Sequence, residues 1–211
     1  MEIHLFNTLP STQIYLLEQI QNKILRAPVA VMAMEQSSGI GSRDNEWEGG
    51  KGNFFASLAI PLKELPSDLP LSSSSIYFSF IMKKTLKEFG ENVWLKWPND
   101  FYFEDAKVGG TITKKIEDTV VCGIGINLKK SQNGYSALEA KVCPKILLER
   151  YIERVCEFPK WKQIFSEYEI EFELSRRFSV HIGNERKSLA EACLCGDGSL
   201  ILGEKKVYSL R

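Results

Sequence analysis

Histidine is almost missing from this 211-residue chain, which holds only His4 and His181, far apart. Neither a Ser-His-Asp nor a Cys-His arrangement is credible with so few, and the usual partners of a zinc site are gone. The cysteines, Cys122, Cys143, Cys156, Cys193 and Cys195, are odd in number and contain no C-x-x-C pair. They predict no disulfide framework and are expected to be small buried apolar residues in a reducing compartment. An excess of charge of one sign is also lacking. Lys plus Arg and Asp plus Glu number 27 each, so no global field draws the protein to nucleic acid or membrane, and any basic site must be local. No apolar run approaches spanning length, and Met1 to Pro10 lacks a leader pattern, so a cytoplasmic protein with no membrane partner is expected.

What is present is an ordinary globular composition, 44% hydrophobic and 26% charged. The length suits one main domain with a core and a small appendage. Between two apolar, strand-like runs lies Gly39-Ile40-Gly41-Ser42-Arg43-Asp44-Asn45-Glu46-Trp47, around which the chain is organised. Its glycines let backbone approach a ligand, Arg43 offers a positive fork for phosphate or carboxylate, and Trp47 can cover a flat ring. The same residues also read as a surface loop with one docked Trp.

Ile3 to Phe6 alternates as a short strand. Ser11 or Thr12 then caps a helix on which Ile14, Leu17, Ile20 and Ile24 share a face. Val29 to Met34 reads as a buried strand delivering Gln36 to the Gly loop, and Phe54 to Pro61 as the next strand. A helix over Ile76 to Phe89, stopped by Gly90, turns Phe78, Ile81, Met82, Thr85 and Phe89 to the core. Val93 to Trp97, a Pro98-Asn99-Asp100 turn, Phe101 to Phe103, Lys107 to Thr113 and Thr119 to Leu128 form an antiparallel meander, with Gly109, Gly110, Gly123 and Gly125 gathered in one place. Two amphipathic helices follow, Lys145 to Phe158 and Trp161 to Leu174, with core faces Leu148, Ile152, Val155 and Ile164, Tyr168, Phe172. Short strands from Arg176 onward, separated by Gly-Asn and Asp-Gly turns, predict a small appended β-barrel with its boundary near Ser175, dividing the chain into 1–174 and 175–211.

Two familiar sites are excluded. Gly39-Ile40-Gly41 holds Asp44 where a dinucleotide fingerprint needs its third glycine, and Gly49-Gly50-Lys51-Gly52 lacks the spacing of a P-loop. What remains is a set of orienting and charge-neutralising groups, Ser11, Thr12, Gln36, Arg43, Trp47, Asn99, Asp100, Lys107 and Asn127. Such a set suits nucleotidyl transfer better than covalent catalysis by a side chain.

These residues carry a resemblance. Lys96-Trp97-Pro98-Asn99-Asp100, then Lys107-Val108-Gly109-Gly110 and Gly123-Ile124-Gly125-Ile126-Asn127, preceded by Ser11-Thr12-Gln13 and Gln36-x-x-Gly39-x-Gly41, resemble biotin protein ligase over about Phe6 to Leu128. The resemblance implies an α+β fold, a mixed β-sheet backed by helices as in class II synthetases, with a small C-terminal β-barrel. It implies a two-step reaction: biotin's carboxylate attacks the α-phosphate of ATP, with Mg²⁺ assisting, to give biotinyl-5′-AMP and pyrophosphate. A lysine of the biotin carboxyl carrier protein of acetyl-CoA carboxylase then takes the biotinyl group.

By resemblance, Ser11, Thr12, Gln36, Gly39, Gly41, Ser42, Lys107, Gly110 and Gly123 surround biotin, while Arg43, Trp47, Asn99, Lys107 and Asn127 serve the adenylate. Lys107 is the cation between carboxylate and phosphate. Asp100 has open roles: to orient or deprotonate the incoming lysine, or to help hold Mg²⁺, which no protein-only ligand set would bind. The departure is in the loop, where the family's three arginine positions hold Ile40, Ser42 and Asn45; Arg43 is expected to act in their place as a catalytic residue.

Only ten residues precede Ser11, so the helix-turn-helix of repressor members, and DNA as a partner, are not expected. Two alternatives stay in view, a lipoate or octanoate ligase of the same fold and a non-catalytic biotin or adenylate sensor. The oligomeric state is open between monomer and homodimer.

Overall fold

The structure, a computed structural model, describes residues 1–41, 46–47, 50–130, 136–138, 140–183 and 185–208. Its centre is one mixed sheet of seven strands. In chain order these are β1 (Glu2–Phe6), β2 (Val29–Ala33), β5 (Phe54–Pro61), β6 (Trp94–Lys96), β7 (Asp100–Phe103), β8 (Ala106–Ile116) and β9 (Thr119–Ile126); β3 (Gly39–Ile40) and β4 (Glu46–Trp47) form a separate two-stranded ladder. The spatial order is β1-β2-β5-β9-β8-β7-β6, with β1 parallel to β2 and every other neighbour antiparallel.

Period-two alternation decides which residues meet which layer. On β2, Ala30 and Met32 enter the larger core cluster, while Val29, Val31 and Ala33 enter a smaller one on the opposite face. On β9, Val120, Cys122, Ile124 and Ile126 face the larger core and Val121 faces the smaller. Past Val121 that second face carries Gly123 and Gly125. Core therefore gives way to open space on one side of the strand only.

The larger core is closed by α2 (Ser74–Glu88), α3 (Pro144–Cys156) and α4 (Trp161–Glu171), the last running into a 3-10 turn over Phe172–Arg177. The expected core residues Phe78, Ile81, Met82 and Thr85 of α2, Leu148, Ile152 and Val155 of α3, and Ile164, Tyr168 and Phe172 are all buried. Truncating one of the aromatics to Ala would cost about 3–5 kcal/mol.

The opposite face takes α1 (Thr12–Gln21), capped by Ser11, whose Oγ accepts from the Ile14 N–H at 3.4 Å. Here the structure departs from the apolar spacing. Leu17 and Ile20 pack partly buried on the smaller core as expected, but Ile14 is exposed, Ile24 lies exposed beyond the helix end, and the buried residues are Thr12, Gln13 and Leu16. The helix is rolled so that two polar side chains face the sheet, which is reasonable only where they line something.

The cysteine expectation is corrected as well: all five are free and only Cys122 is buried, with Cys143, Cys156 and Cys193 exposed and Cys195 in between. Cys143 precedes α3, Cys156 ends it and Cys193 stands on an outer strand, places where no core is available.

The C-terminal strands are shorter than the sequence suggests. β10 (Ser179–Ile182) pairs with β11 (Glu185–Ser188), and β12 (Cys193–Leu194), β13 (Leu200–Leu202) and β14 (Lys205–Val207) form a three-stranded ladder. They are two separate antiparallel sheets, and among the described residues no hydrogen-bond ladder joins them into the closed barrel anticipated. Val180, Leu189, Ala192 and Leu200 bury their side chains in the same core cluster as α2 to α4. No helix among the described residues is long and apolar enough to cross a membrane.

Candidate active site

The space left by Gly123 and Gly125 is a cavity of about 260 Å³ between α1, the β3–β4 ladder and the sheet. Its wall includes Ser11, Thr12, Gln13, Gln36, Gly41, Trp47, Asn99, Asp100, Lys107, Gly110, Gly123 and Asn127. The structure thus brings together groups from five separate stretches of sequence. Of the remaining expected residues, Gly39 is buried beside the cavity, paired with Trp47 across the β3–β4 ladder. Ser42 and Arg43 lie outside the described residues.

The register divides the cavity into two ends. Gly123 pairs with Ile112 and Ser57, while Gly125 pairs with Gly110, which in turn pairs with Asp100. Two residues along a strand is roughly 7 Å.

At the Gly123 end the groups are uncharged. Ser57 Oγ donates to Thr12 Oγ1 at 3.0 Å, and Thr12 gives both its backbone N–H, at 2.8 Å, and its hydroxyl, at 3.1 Å, to Gln36 Oε1. This relay fixes the amide of Gln36 with its NH₂ left as donor. Gln13 Nε2 donates to the Val121 carbonyl at 3.2 Å, which settles its orientation and leaves Oε1 buried without a partner, packed over Gly123. Unpaired buried acceptors are rare and call for a reason.

At the Gly125 end the groups are charged. Lys107 Nζ lies 2.7 Å from Asp100 Oδ1, and Lys96 Nζ 3.7 Å from Asp100 Oδ2. Two lysines against one aspartate leave a cationic surplus among these three. Lys107, on β8, is 41% exposed at its side chain and free to meet a ligand, whereas Lys96 is nearly buried beneath it. Trp47 lays its ring on Gly125, where a Cβ would stand 2.8 Å from Cε2, and Lys107 sits 5.7 Å over that ring. The indole Nε1 is buried without a partner. Asn99 is held by Thr111, donating from Nδ2 to its carbonyl while accepting its N–H at 2.9 Å on its own backbone oxygen. Asn127 donates to the Ser136 carbonyl at 3.1 Å, and its backbone N–H is tied to Val108 at 2.7 Å.

Burial, with the Asp100 charge adding to it, pushes the Tyr102 phenol up to about 12. The one buried thiol, Cys122, faces the larger core rather than the cavity, and burial pushes it far above the usual range, so it is no nucleophile.

Four participants were missed at the sequence level, among them Ser57, which lay unmarked within an expected strand. Lys96 and Gln13 stood inside quoted motifs without a role, and Gly125 was marked only as a place of close approach. The signal for Gly125 was its period-two relation to Gly123.

Residues 5–130 match the model of the biotin/lipoate A/B protein ligase family. The bifunctional ligase/repressor BirA of Escherichia coli (strain K12) is 33% identical over 125 residues, 56% of this chain and 38% of that protein; this chain thus spans well under half the length of that curated relative. The crystal structure of biotin acetyl coenzyme A carboxylase synthetase from Helicobacter pylori with bound biotinylated ATP is 39% identical with a TM-score of 0.94, covering 98% of this chain and 99% of that one. Biotin protein ligase from Aquifex aeolicus in complex with biotin and ATP, at 22% identity and TM-score 0.77, covers 99% of this chain and 96% of its own and shares the fold. The matched segment carries the end of β1, all of β2 through β9 and every described cavity residue, and the chain belongs to the biotin/lipoate A/B protein ligase family.

Proposed function

We propose that this chain is an ATP-dependent biotin–protein ligase, which activates biotin as biotinyl-5′-AMP with release of pyrophosphate and passes the biotinyl group to the amine of a carrier lysine with release of AMP. The observation that carries the reading is the division of one cavity into an uncharged amide-and-hydroxyl end and a cationic end about 7 Å apart along the strands. A cyclic urea needs donors and acceptors without charge, and the reacting carboxylate and α-phosphate need a cation between them. Thr12, Gln36 and Ser11 serve the first and Lys107 the second. Gly110 and Gly123 leave room for the rings, Trp47 covers the adenine, and Asn99 and Asn127 hold the adenylate side. The unpaired Gln13 Oε1 and Trp47 Nε1 support a polar occupant. Arg43, with Ser42 in the sequence position of a family arginine, supplies a further positive charge from the loop.

No group of three or more His, Cys, Asp or Glu among the described residues is placed to hold a metal. Mg²⁺ would therefore arrive on the triphosphate, with Asp100 the acidic side chain at that end. Bound there, it would screen phosphate charge. In the second step Asp100 orients the carrier's amine or accepts its proton.

The acceptor is the biotin carboxyl carrier protein of acetyl-CoA carboxylase, in the cytoplasm; likeness to the Helicobacter pylori biotin acetyl coenzyme A carboxylase synthetase supports this choice of acceptor. Residues 1–174 form the catalytic unit and 175–211 a smaller unit beside it. The test is mass spectrometry of the protein mixed with biotin, ATP and Mg²⁺, with lipoate in a parallel sample. Bound biotinyl-AMP is expected. Lipoyl-AMP alone would redirect the assignment within the family, and bound biotin without adenylate would make the chain a sensor.

A further inference from the structure

We propose that Trp97 is a positioning residue that ties the Lys96–Asp100–Lys107 end of the site to the C-terminal turn Gly196–Gly198, so that activation by nucleotide, and not binding of biotin, depends on that turn. The proposal rests on the reading of the cavity given above.

Three successive carbonyls of this turn are each taken by a side chain from elsewhere. Trp161 Nε1 donates to Gly196 O at 2.8 Å, Ser73 Oγ to Asp197 O at 2.5 Å and Trp97 Nε1 to Gly198 O at 2.9 Å. The donors come from the start of α4, the entry to α2 and the strand before the Pro98-Asn99-Asp100 turn. An ordinary hairpin tip would leave those carbonyls to water. This one is also closed on itself, by Gly198 N–H to Cys195 O and Cys195 N–H to Ser199 O, both 2.8 Å. Gly198 adopts φ +76°, and a Cβ there would fall 2.4 Å from Ser73 Oγ, so conformation and contact both demand glycine.

Trp97 is held a second time by the same half of the chain. β6 is the outer strand of the sheet, and its outward N–H groups need partners. Leu95 N–H donates to Glu171 Oε1 at 2.7 Å and Trp97 N–H to Ser175 Oγ at 3.1 Å. Glu171 ends α4 and Ser175 lies in the 3-10 turn that follows it, so one continuous segment supplies both acceptors. Trp97 is fully buried, with both of its N–H donors committed.

From Trp97 the chain runs through Pro98 to Asn99, locked to Thr111, and Asp100, locked to Lys107. A shift of the indole must therefore move the charged end. The hydroxyl-amide end stands on α1 and beyond β2, and the side-chain hydrogen bonds described there run among Ser11, Thr12, Gln13, Ile14, Gln36, Ser57 and Val121.

Trp97→Phe keeps the ring and deletes the indole N–H. We expect its KM for ATP in biotin-dependent ATP–pyrophosphate exchange to rise about tenfold, with biotin affinity by calorimetry unchanged within about twofold. Gly198→Ala should give the same pattern, and the double variant should be no worse than the worse single one. Lys205→Ala, on β14 of the same three-stranded sheet, should match the parent. Where Trp97→Phe fails to fold, Ser73→Ala takes its place. Unchanged exchange kinetics in a folded variant, or biotin affinity falling in step with KM, overturns the proposal. If the parent protein catalyses no exchange, the functional reading fails by itself. The positioning claim is then judged on the ligand-free protein: the Asn99 and Gly110 amide resonances should shift in Trp97→Phe while Thr12 and Gln36 stay put, and unmoved Asn99 and Gly110 signals overturn it.

Discussion

Lys107 Nζ and Asp100 Oδ1 stand 2.7 Å apart across neighbouring strands, so the cation at the charged end of the cavity is held by the carboxylate that begins β7. A half-exposed pair of this kind is worth only about 0.2–1 kcal/mol to the fold. Its value to a reaction that joins two anions is much larger. Lys107→Ala should lower biotin-dependent ATP–pyrophosphate exchange by about a hundredfold or more with almost no change in Tm. A variant that keeps full exchange would remove Lys107 from the mechanism.

Trp47 rests on Gly125 with no room for a methyl group between them. Gly125→Ala must push the indole off the strand and, with it, the surface proposed to cover adenine. The expected outcome is weaker ATP binding and a shifted tryptophan emission, with biotin still bound. Unaltered KM for ATP alongside a displaced ring would refute the role given to Trp47.

The relay Ser57 to Thr12 to Gln36 predicts a different loss. Gln36→Leu leaves both Thr12 donors without their acceptor and removes the free amide donor at the uncharged end. Calorimetry should show biotin affinity reduced by about tenfold or more. Ser57→Ala, which breaks the relay one step further from the cavity, should cost about 1 kcal/mol of stability and a smaller share of biotin affinity.

Acid should loosen the C-terminal turn. Burial opposes the Asp197 charge, but the hydrogen bonds from Lys206 and Ser199 win and hold its carboxyl below the ordinary 3.8, at about 2. A depressed carboxylate contributes stability that is complete above its unfolded value and lost as pH falls toward its folded one. The stability difference between the parent and Asp197→Asn should therefore shrink between pH ~4 and pH ~2 and be flat above. The indole N–H resonances of Trp97 and Trp161, both bonded to this turn, should move over the same range in the parent. A difference that does not change with pH would show that Asp197 does not hold the turn.

Much of this molecule is written locally. The apolar run from Val29 reads as a strand buried on both faces, and it is; glycines at 123 and 125, two apart on one face, mark a place of close approach before any fold is known. Helical spacing gave the buried faces of α2, α3 and α4 correctly, because those faces meet nothing but core. On α1 it held for Leu17 and Ile20 and misled at the helix start, where Thr12 and Gln13 face the sheet and Ile14 faces water: a helix end that lines a polar site does not obey apolar periodicity. The cysteines misled for a related reason, since a small weakly polar side chain carries no pattern that distinguishes core from surface.

The sequence alone determined the residue types of the site, the faces of its strands and the family signature. Only the tertiary structure decided that β5 and β9 lie between β2 and β8, which sets Thr12 and Lys107 at two ends of one cavity, and that Trp97 meets Gly198 across 101 positions of chain. Periodicity records which way a side chain points relative to its own backbone. It is silent on which distant carbonyl waits there, because a single side-chain hydrogen bond between remote segments leaves no repeat in the sequence.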